Sequence, residues 1–425
     1  MKILHLSTYD NRGGAAIATY RLHDGLQNIG ITSQMLVQIK FSDDKSVIAT
    51  GNKIVHKYPK LKPHLDSLPK LFFRHIDKSR RTSYSLQWLP DSIATSIIKI
   101  DTDIIHLHWI SGGLINIETI AKLNKPLVWT LHDMWAFTGG CHYNQECQLY
   151  KEKCGNCPQM PKRFNIDLSS WVWERKAKAW ADLNCTVVTP SHWLAKCAAS
   201  SSLFKDCNIK VIPYGLDTEV YKPYQKNLVR DKFNLPQDKL LILFGAENAA
   251  SNTRKGFHFL RCALEILKHT YWHDKCELVI FGASKSDSIS NLGFNTHYLG
   301  RLNNESTVAQ VYSAADVFVA PSIQDNLPNT VMESLACGTP CVTFDIGGMP
   351  DMINHKQNGY LSRPYNIDDL ANGIIWVIED KERHQKLCAS ACGTVKEKFT
   401  LELQAKNYLP LYQEILERKI FIKKK

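Results

Sequence analysis

The sequence predicts an α/β protein of two Rossmann-like, doubly wound domains that face a central cleft. Three observations carry that prediction. Short apolar runs alternate with helix-patterned stretches through both halves, which is how a parallel sheet covered by helices reads. The alternation breaks at IPYGLDTEVYKPY (212–224), rich in Pro, Gly and Tyr, and then restarts. And 425 residues are long for one hydrophobic core but suit two or three. The expected divisions are residues 1–215, residues 216–400, and a helix over 401–425 that crosses back to the first domain.

In the first half, residues 3–7 form an apolar run closed by a polar turn, hence a strand. Residues 15–29 repeat apolar side chains at helical spacing and stop at Gly30. Strands follow at 32–38, 104–109, 127–132, 185–189 and 210–213, each a run of Ile, Leu, Val or Thr. In the second half the strands are 240–245, 277–282, 296–299, 317–321, 341–344 and 360–363, with a helix over 257–267. Residues 401–420 carry a helical pattern ahead of a basic KKK tail.

Composition is that of an ordinary folded protein, 44% hydrophobic and 22% charged. No uncharged apolar run nears the roughly 18 residues a membrane helix needs. MKILHLSTYD reads as a first core strand rather than a leader, so a cytoplasmic protein is expected. The formal charge of +11 favours anionic partners such as nucleotide phosphates or lipid headgroups. Nucleic acid is not expected, because no recognition helix or aromatic-basic surface strand is legible. Residues 57–81 hold eight Lys or Arg against two Asp, with Leu and Phe interleaved. Such a stretch suits the surface of an anionic membrane, or is a helix that packs its apolar side inward.

ADVFVA (315–320) runs into PSIQDNLPNTVMESLACGTPCVTFDIGG (321–348): strand, polar loop, short helix ended by Gly338, strand. Open α/β sheets bind ligands at the carboxyl ends of their strands. Asp325 on the loop and Glu333 on the helix direct two carboxylates to one place, which suits a polyhydroxylated ligand. The structural alternatives are turn chemistry at Asp325 and Asn326 and a capping box, Thr330-x-x-Glu333.

Arg254-Lys255-Gly256 follows the second domain's first strand and opens a helix. Guanidinium fork, point charge and helix dipole together suit a diphosphate; alternatively the pair is a solvated loop charge. Neither G-x-x-x-x-G-K-[ST] nor G-x-G-x-x-G occurs. Gly13-Gly14, between the first strand and first helix, lets backbone N–H groups approach an anion, or makes a tight turn. His132-Asp133 ends a strand, where His132 can donate to a ligand oxygen or act as a base near neutral pH. His106 and His108 (IIHLHW) share one sheet face and are expected to pack. Asp101-Thr102-Asp103 precedes its strand, the wrong end of the sheet for holding a metal on a diphosphate.

Cys141, Cys147, Cys154 and Cys157 are spaced x5, x6 and x2 within an insertion at about 138–160. Four thiols ending in C-x-x-C suit a closed, structural zinc site, with His142 able to replace one of them. An iron–sulfur cluster, two disulfides or unligated thiols are the alternatives.

Together these pieces resemble the retaining glycosyltransferases of family GT4, which have the GT-B fold. The likeness covers nearly the whole chain: the first strand with GG, the strand-end HD, IPYGLDTEVYKP, the KG before a helix, and an acid-x7-acid loop. The family's E-x7-E stands here as D-NLPNTVM-E, followed by SLACGTPCV. The resemblance implies a hexosyltransferase that takes a UDP- or GDP-sugar donor and needs no catalytic cofactor. It implies a glycan or undecaprenyl-diphosphate-linked acceptor, exopolysaccharide or O-antigen-type synthesis, and a peripheral place on the inner face of the cytoplasmic membrane. By the same resemblance Glu333 binds the nucleotide ribose and Asp325 the donor hexose. The backbone of Asn326, Leu327, Pro328 and Asn329 approaches the sugar or the diphosphate. Lys255 neutralises the diphosphate, with Arg254 the nearest second cation. Gly13 and Gly14 line the cleft opposite, and His132 meets the donor sugar.

Two departures stand out. Asp325 is one methylene shorter than the family's first Glu, and Gly245-Ala246-Glu247 stands where the family has G-R. The HDMWAFTGGC segment with its cysteines resembles a subset of bacterial polysaccharide-assembly transferases. No second acid is placed as a nucleophile, so front-face retention is expected over double displacement. The rival readings are a nucleotide-sugar epimerase or hydrolase of the same two-domain architecture and a zinc-dependent nucleic-acid-binding protein.

Overall fold

Strands such as IIHL, LVWT, VFVA and CVTF bury every residue, the mark of a parallel sheet covered on both faces. The protein, seen in a computed structural model that describes residues 1–50, 61–68, 83–160, 167–245, 252–282 and 292–423, builds two units around such strands. One comprises Met1–Gly215 with Leu401–Lys425, the other Leu216–Thr400.

The first unit runs β1 (Lys2–Tyr9), α1 (Gly14–Asn28), β2 (Thr32–Ile39), β3 (Val47–Ala49), α2 (Lys62–Asp66), α3 (Ile93–Ile97), β4 (Ile104–Leu107), α4 (Ile117–Ile120), β5 (Leu127–Thr130), α5 (Leu168–Ala179), β6 (Cys185–Thr189), α6 (His192–Ala199) and β7 (Asn208–Val211). Its seven strands are parallel in the order β3-β2-β1-β4-β5-β6-β7, and His5 lies opposite His106 across the β1–β4 pair. β3 went unseen in the sequence because three residues are too few to show a period.

The second unit runs α7 (Lys226–Lys232), β8 (Leu240–Gly245), α8 (Phe257–Lys268), β9 (Cys276–Phe281), β10 (Thr296–Gly300), α9 (Glu305–Ala314), β11 (Val317–Ala320), α10 (Asn329–Ala336), β12 (Cys341–Phe344), α11 (Met349–Met352), β13 (Gly359–Ser362), α12 (Ile367–Ile378) and α13 (Lys381–Lys398). Its six strands are parallel in the order β10-β9-β8-β11-β12-β13. Side-chain caps start several of its helices: Asn304 accepts from Thr307 N, Asn366 from Asp369 N and Asp380 from Arg383 N. Asp316, just ahead of β11, binds Arg230 Nη2 and Lys226 Nζ, each at 2.8 Å, and accepts from Leu241 N at 2.7 Å.

The last helix, α14 (Leu401–Lys423), belongs to the first unit. Its Ala405, Tyr408, Leu411 and Tyr412 share a core with Ile3, Leu22, Leu26, Ile104 and Val128. Asp101 and Asp103, discounted as metal ligands, bond to Lys2 at the amino ends of β1 and β4. Most of the basic stretch 57–81 lies outside the described residues. In the described part, Leu61, Leu65 and Leu68 on and beside α2 are exposed. No helix among the described residues is long and apolar enough to cross a membrane.

Candidate active site

In the second sheet the strand order turns back between β8 and β11, so the loops leaving their carboxyl ends diverge and open a crevice. One loop carries Arg254 and Lys255; the other carries Asp325. A 3₁₀ turn, Thr253–Lys255, delivers the two cations, and Gly256 turns the chain into α8 with φ +73°. A Cβ on Gly256 would lie 1.7 Å from Pro321 O, so only glycine lets the two loops touch. Ile323 N donates to Arg254 O at 2.9 Å across the same seam.

The two cations converge on one carboxylate oxygen. Lys255 Nζ lies 2.7 Å from Asp325 Oδ2 and Arg254 Nη1 3.0 Å from it; Arg254 also donates to Gln324 O at 2.8 Å. Ser322 Oγ donates to Oδ2 at 3.2 Å and Asn326 N to Oδ1 at 3.2 Å. Gly348 N donates to Asp325 O at 3.1 Å from behind, and a Cβ on neighbouring Gly347 would lie 2.0 Å from that oxygen. Burial by itself would raise the Asp325 carboxyl, but the Arg254 and Lys255 charges hold it well below the usual carboxylate range. Burial lowers Lys255, and Asp325 offsets only part of that. With formal charges of +1, +1 and −1, the three side chains together carry +1.

Glu333 lies on α10, which begins directly after this loop. The capping box that was the structural alternative at Thr330 and Glu333 does not form. Pro328 occupies the N-cap in extended backbone, and no side chain caps the helix. Pro328 fixes the chain too early for Thr330 to serve. Glu333, 6% exposed, instead accepts from Tyr312 Oη at 3.3 Å. Ser322, Tyr312 and the Gly347-Gly348 pair were missed as site residues. Ser322 and the glycines lie within the stretch 321–348 that already held the candidate acids, and nothing in the sequence pointed to Tyr312. Asn326 and Leu327 are buried in the same loop. Ala246 and Glu247 lie outside the described residues.

The first unit carries the remaining candidates. Gly13 caps α1 with φ +86°, and space around it is open, so backbone conformation rather than close approach selects glycine there. His132 follows β5, buried. Its Nδ1 meets Tyr214 Oη at 2.7 Å and its Nε2 meets His108 Nδ1 at 3.1 Å. Burial pushes its imidazole down to about 4, so it is neutral near neutral pH. His142, offered as a stand-in for a cysteine, is engaged elsewhere. Its Nδ1 binds Asp133 Oδ2 at 2.6 Å and its Nε2 binds Ser85 Oγ at 2.9 Å.

Cys141, Cys147, Cys154 and Cys157 line one small void of about 20 Å³ with Tyr84, and Gly139 N donates to Cys154 Sγ at 3.1 Å. Burial pushes Cys154 up to about 11 and Cys157 up to about 12. Beside them Lys176 is fully buried. It donates to Trp135 O and Thr138 O and lies 3.7 Å from the centroid of the Trp135 ring. No carboxylate pairs with it among the described residues. Burial pushes Lys176 down to about 7 as it pushes the thiols up, so an ammonium facing thiolates would arise here with an ion that ionises the cysteines. Donor chemistry, burial and charge therefore fit a thiophilic ion. The four sulfurs stand wider apart than bound ligands would: among the described residues the only three such ligand atoms within 4.8 Å of one another belong to histidines.

Residues 12–220 match the family model described as Glycosyltransferase Family 4, and residues 225–408 that described as Glycosyl transferases group 1. The chain is 22% identical over 360 residues to the putative colanic acid biosynthesis glycosyl transferase WcaC of Escherichia coli K12, covering 80% of this chain and 82% of that one. Other curated relatives match over less, and the chain spans about half to three fifths of their length. Among solved structures, sucrose-phosphate synthase from Thermosynechococcus elongatus superposes with a TM-score of 0.71 at 19% identity, over 98% of this chain and 100% of that one. Anabaena Alr3699/HepE, solved with UDP and glucose, gives 0.66 at 16% identity over 97% and 99%. At these identities the structural likeness speaks for the fold.

Proposed function

The chain belongs to the GT4-type glycosyltransferases of the GT-B fold, and on that premise we propose that it moves a hexose from a nucleoside-diphosphate sugar to a glycan or lipid-linked glycan acceptor with retention. The observation that carries the reading is the convergence of Lys255 and Arg254 on Asp325 Oδ2. In the resting site Asp325 stands in for the diphosphate. An arriving diphosphate competes for both cations and frees the Asp325 carboxylate to accept hydrogen bonds from the hexose hydroxyls. Glu333 takes the ribose hydroxyls. UDP is the favoured nucleotide, because HepE was solved with it.

In the chemical step the bond from the sugar's anomeric carbon to the diphosphate oxygen breaks. The acceptor hydroxyl forms the new bond on the same face, and its proton passes to a departing diphosphate oxygen. Lys255, Arg254 and the amino end of α8 stabilise the charge that develops there. These groups supply the stabilisation, so the reading calls for no catalytic cofactor. Neutral His132 meets the donor sugar by giving up Tyr214 Oη, and does not act as a base. Gly13 and Gly14 offer backbone amides to an anion. Assembly of a bacterial surface polysaccharide is the favoured setting, from the WcaC likeness. A lipid-linked acceptor and a peripheral membrane location accord with the basic, Leu- and Phe-bearing stretch 57–81. Structural zinc at Cys141, Cys147, Cys154 and Cys157 is part of the same reading. It requires the four sulfurs to close to about 3.8 Å, the spacing set by Zn–S bonds of about 2.3 Å.

A thermal-shift screen of nucleoside diphosphates followed by turnover assays tests this. A UDP- or GDP-dependent shift, lost in Glu333→Ala, with sugar release only when acceptor is present, is the expected result. Acceptor-independent turnover of the nucleotide sugar would instead identify an epimerase or hydrolase.

A further inference from the structure

Three histidines that the transfer reaction does not use lie together beneath α14. Because β1 and β4 are neighbours, His5 sits opposite His106, and His108 follows two residues on along the same face. All three are buried, at 0, 0 and 3% exposure. The rings of His106 and His108 are 4.1 Å apart, and His5 is 5.1 Å from each. One ring nitrogen from each lies within 4.8 Å of the others. His5 Nδ1 and His108 Nε2 are 2.9 Å apart. Two imidazole nitrogens bound tetrahedrally to one ion at about 2.1 Å stand about 3.4 Å apart, so this pair opens by about 0.5 Å to take up the ion. We propose that His5, His106 and His108 form a binding site for a first-row divalent transition ion such as Zn²⁺.

The surrounding hydrogen bonds fit that role. With His108 Nε2 on the ion, its proton sits on Nδ1 and is donated to His132 Nε2. His132 Nδ1 then donates to Tyr214 Oη. Such outer partners fix the tautomer of a ligating histidine. His106 meets Tyr412 Oη and Thr130 Oγ1, each at 2.7 Å. It gives up one of these to coordinate and keeps the other to hold the ring. The protein alone does not complete the network. His5 Nε2 is buried with no hydrogen-bond partner, and so is Ser7 Oγ, on the same face of β1. With His5 Nδ1 facing His108 Nε2, His5 Nε2 turns away from the ion, so that nitrogen and Ser7 Oγ call for a buried water. Three imidazoles leave a fourth position on zinc for a water molecule.

Cobalt titration of the chelator-treated full chain separates this site from the cysteines, because Co²⁺ bound to thiolate shows a near-ultraviolet charge-transfer band that Co²⁺ bound to imidazole lacks. The wild-type chain is expected to bind one Co²⁺ without that band, whether or not a second ion binds with it. His5→Gln/His108→Gln should lose that one equivalent and leave any thiolate band unchanged. A wild-type chain that binds no band-free Co²⁺, or a double variant that retains it, overturns the proposal. Should the double variant fail to fold, X-ray absorption on the zinc-loaded Cys154→Ser chain decides. A nitrogen- and oxygen-only shell is expected, and a sulfur shell or no bound zinc overturns it.

Discussion

Lys255 Nζ and Asp325 Oδ2 stand 2.7 Å apart across 70 residues of chain, with Arg254 Nη1 3.0 Å from the same oxygen. The pair joins the loops at the point where the second sheet's strand order turns back. If Asp325 holds the place of a diphosphate, Lys255 acts mainly on the transition state, where charge on the leaving group grows. Lys255→Ala should then lower kcat/KM by about 100-fold or more, the usual cost of removing one preorganised charge stabiliser. Its thermal midpoint should fall only modestly, because Arg254 still pairs with the buried Asp325 carboxylate. Turnover within threefold of wild type would remove Lys255 from the site.

The clamp on Asp316 makes a contrasting prediction, for stability rather than catalysis. Arg230 Nη2 is 2.8 Å from Asp316 Oδ2, and both side chains are at least nine-tenths buried. Lys226 is more exposed and contributes less. Asp316→Ala leaves the Arg230 charge buried without its partner, which costs about 3–5 kcal/mol. The urea midpoint should fall accordingly, whereas Lys226→Ala should cost less than about 1 kcal/mol. Equal effects from the two substitutions would show that burial is not what sets the cost.

Much of this architecture was legible in the sequence. The two sheets show in the alternation of apolar runs, since strands buried on both faces leave a plain mark. Lys255 and Asp325 could each be picked out, but their contact could not, because only the strand order β8-β11 brings the loops together. The reason for Gly256 was equally hidden, since it lies in the position of Pro321 O. Thr330 and Glu333 suggested a cap from local spacing, and Pro328 pre-empted it. His142 looked like a metal ligand from its neighbours in sequence and proved to be the partner of Asp133. His106 and His108 were read as packed. His5 joins them only because β1 lies beside β4.

His23 gives the acid limb of stability a definite window. Its ring sits between Ser33 Oγ at 2.7 Å and Ser46 Oγ at 2.8 Å, and burial pushes it from 6.5 down to about 4, against an opposing pull from Asp44. A folded value below the unfolded one means that the unfolded chain takes up a proton the native state refuses. The contribution of His23 is therefore full above pH 6.5 and is lost as pH drops towards about 4, about 3 kcal/mol at 1.36 kcal/mol per unit. The depressed carboxylates of Asp316 and Asp325 lose their contribution only lower down, from about their ordinary 3.8 and below. Urea titrations between pH 7 and 4 should show a slope shared by His23 with the other buried, depressed histidines, His5, His106, His108 and His132, and His23→Gln should reduce it by the share of one group. An unchanged slope in His23→Gln would assign the window to other groups.

Lys176 tests the chemistry of the cysteine cluster from outside it. The side chain is fully buried, bonds to Trp135 O and Thr138 O, and is pushed down to about 7 by burial, with Cys154 and Cys141 pulling the other way. Four thiolates around one divalent ion carry a net charge of about −2, and a buried ammonium offsets half of it. Lys176→Met keeps the unbranched apolar stem of the side chain, one atom shorter, while removing the charge. It should weaken zinc retention by about 10–100-fold, the range for outer-sphere partners of a metal site. Cys154→Ser should release the ion and lower the thermal midpoint as well. If the cysteines are instead neutral thiols, removing the charge relieves an uncompensated burial, and Lys176→Met should stabilise the chain with no change in metal content. Chelator competition on the two variants, read with their thermal midpoints, separates the cases, because only a metal–thiolate cluster makes Lys176→Met lose zinc.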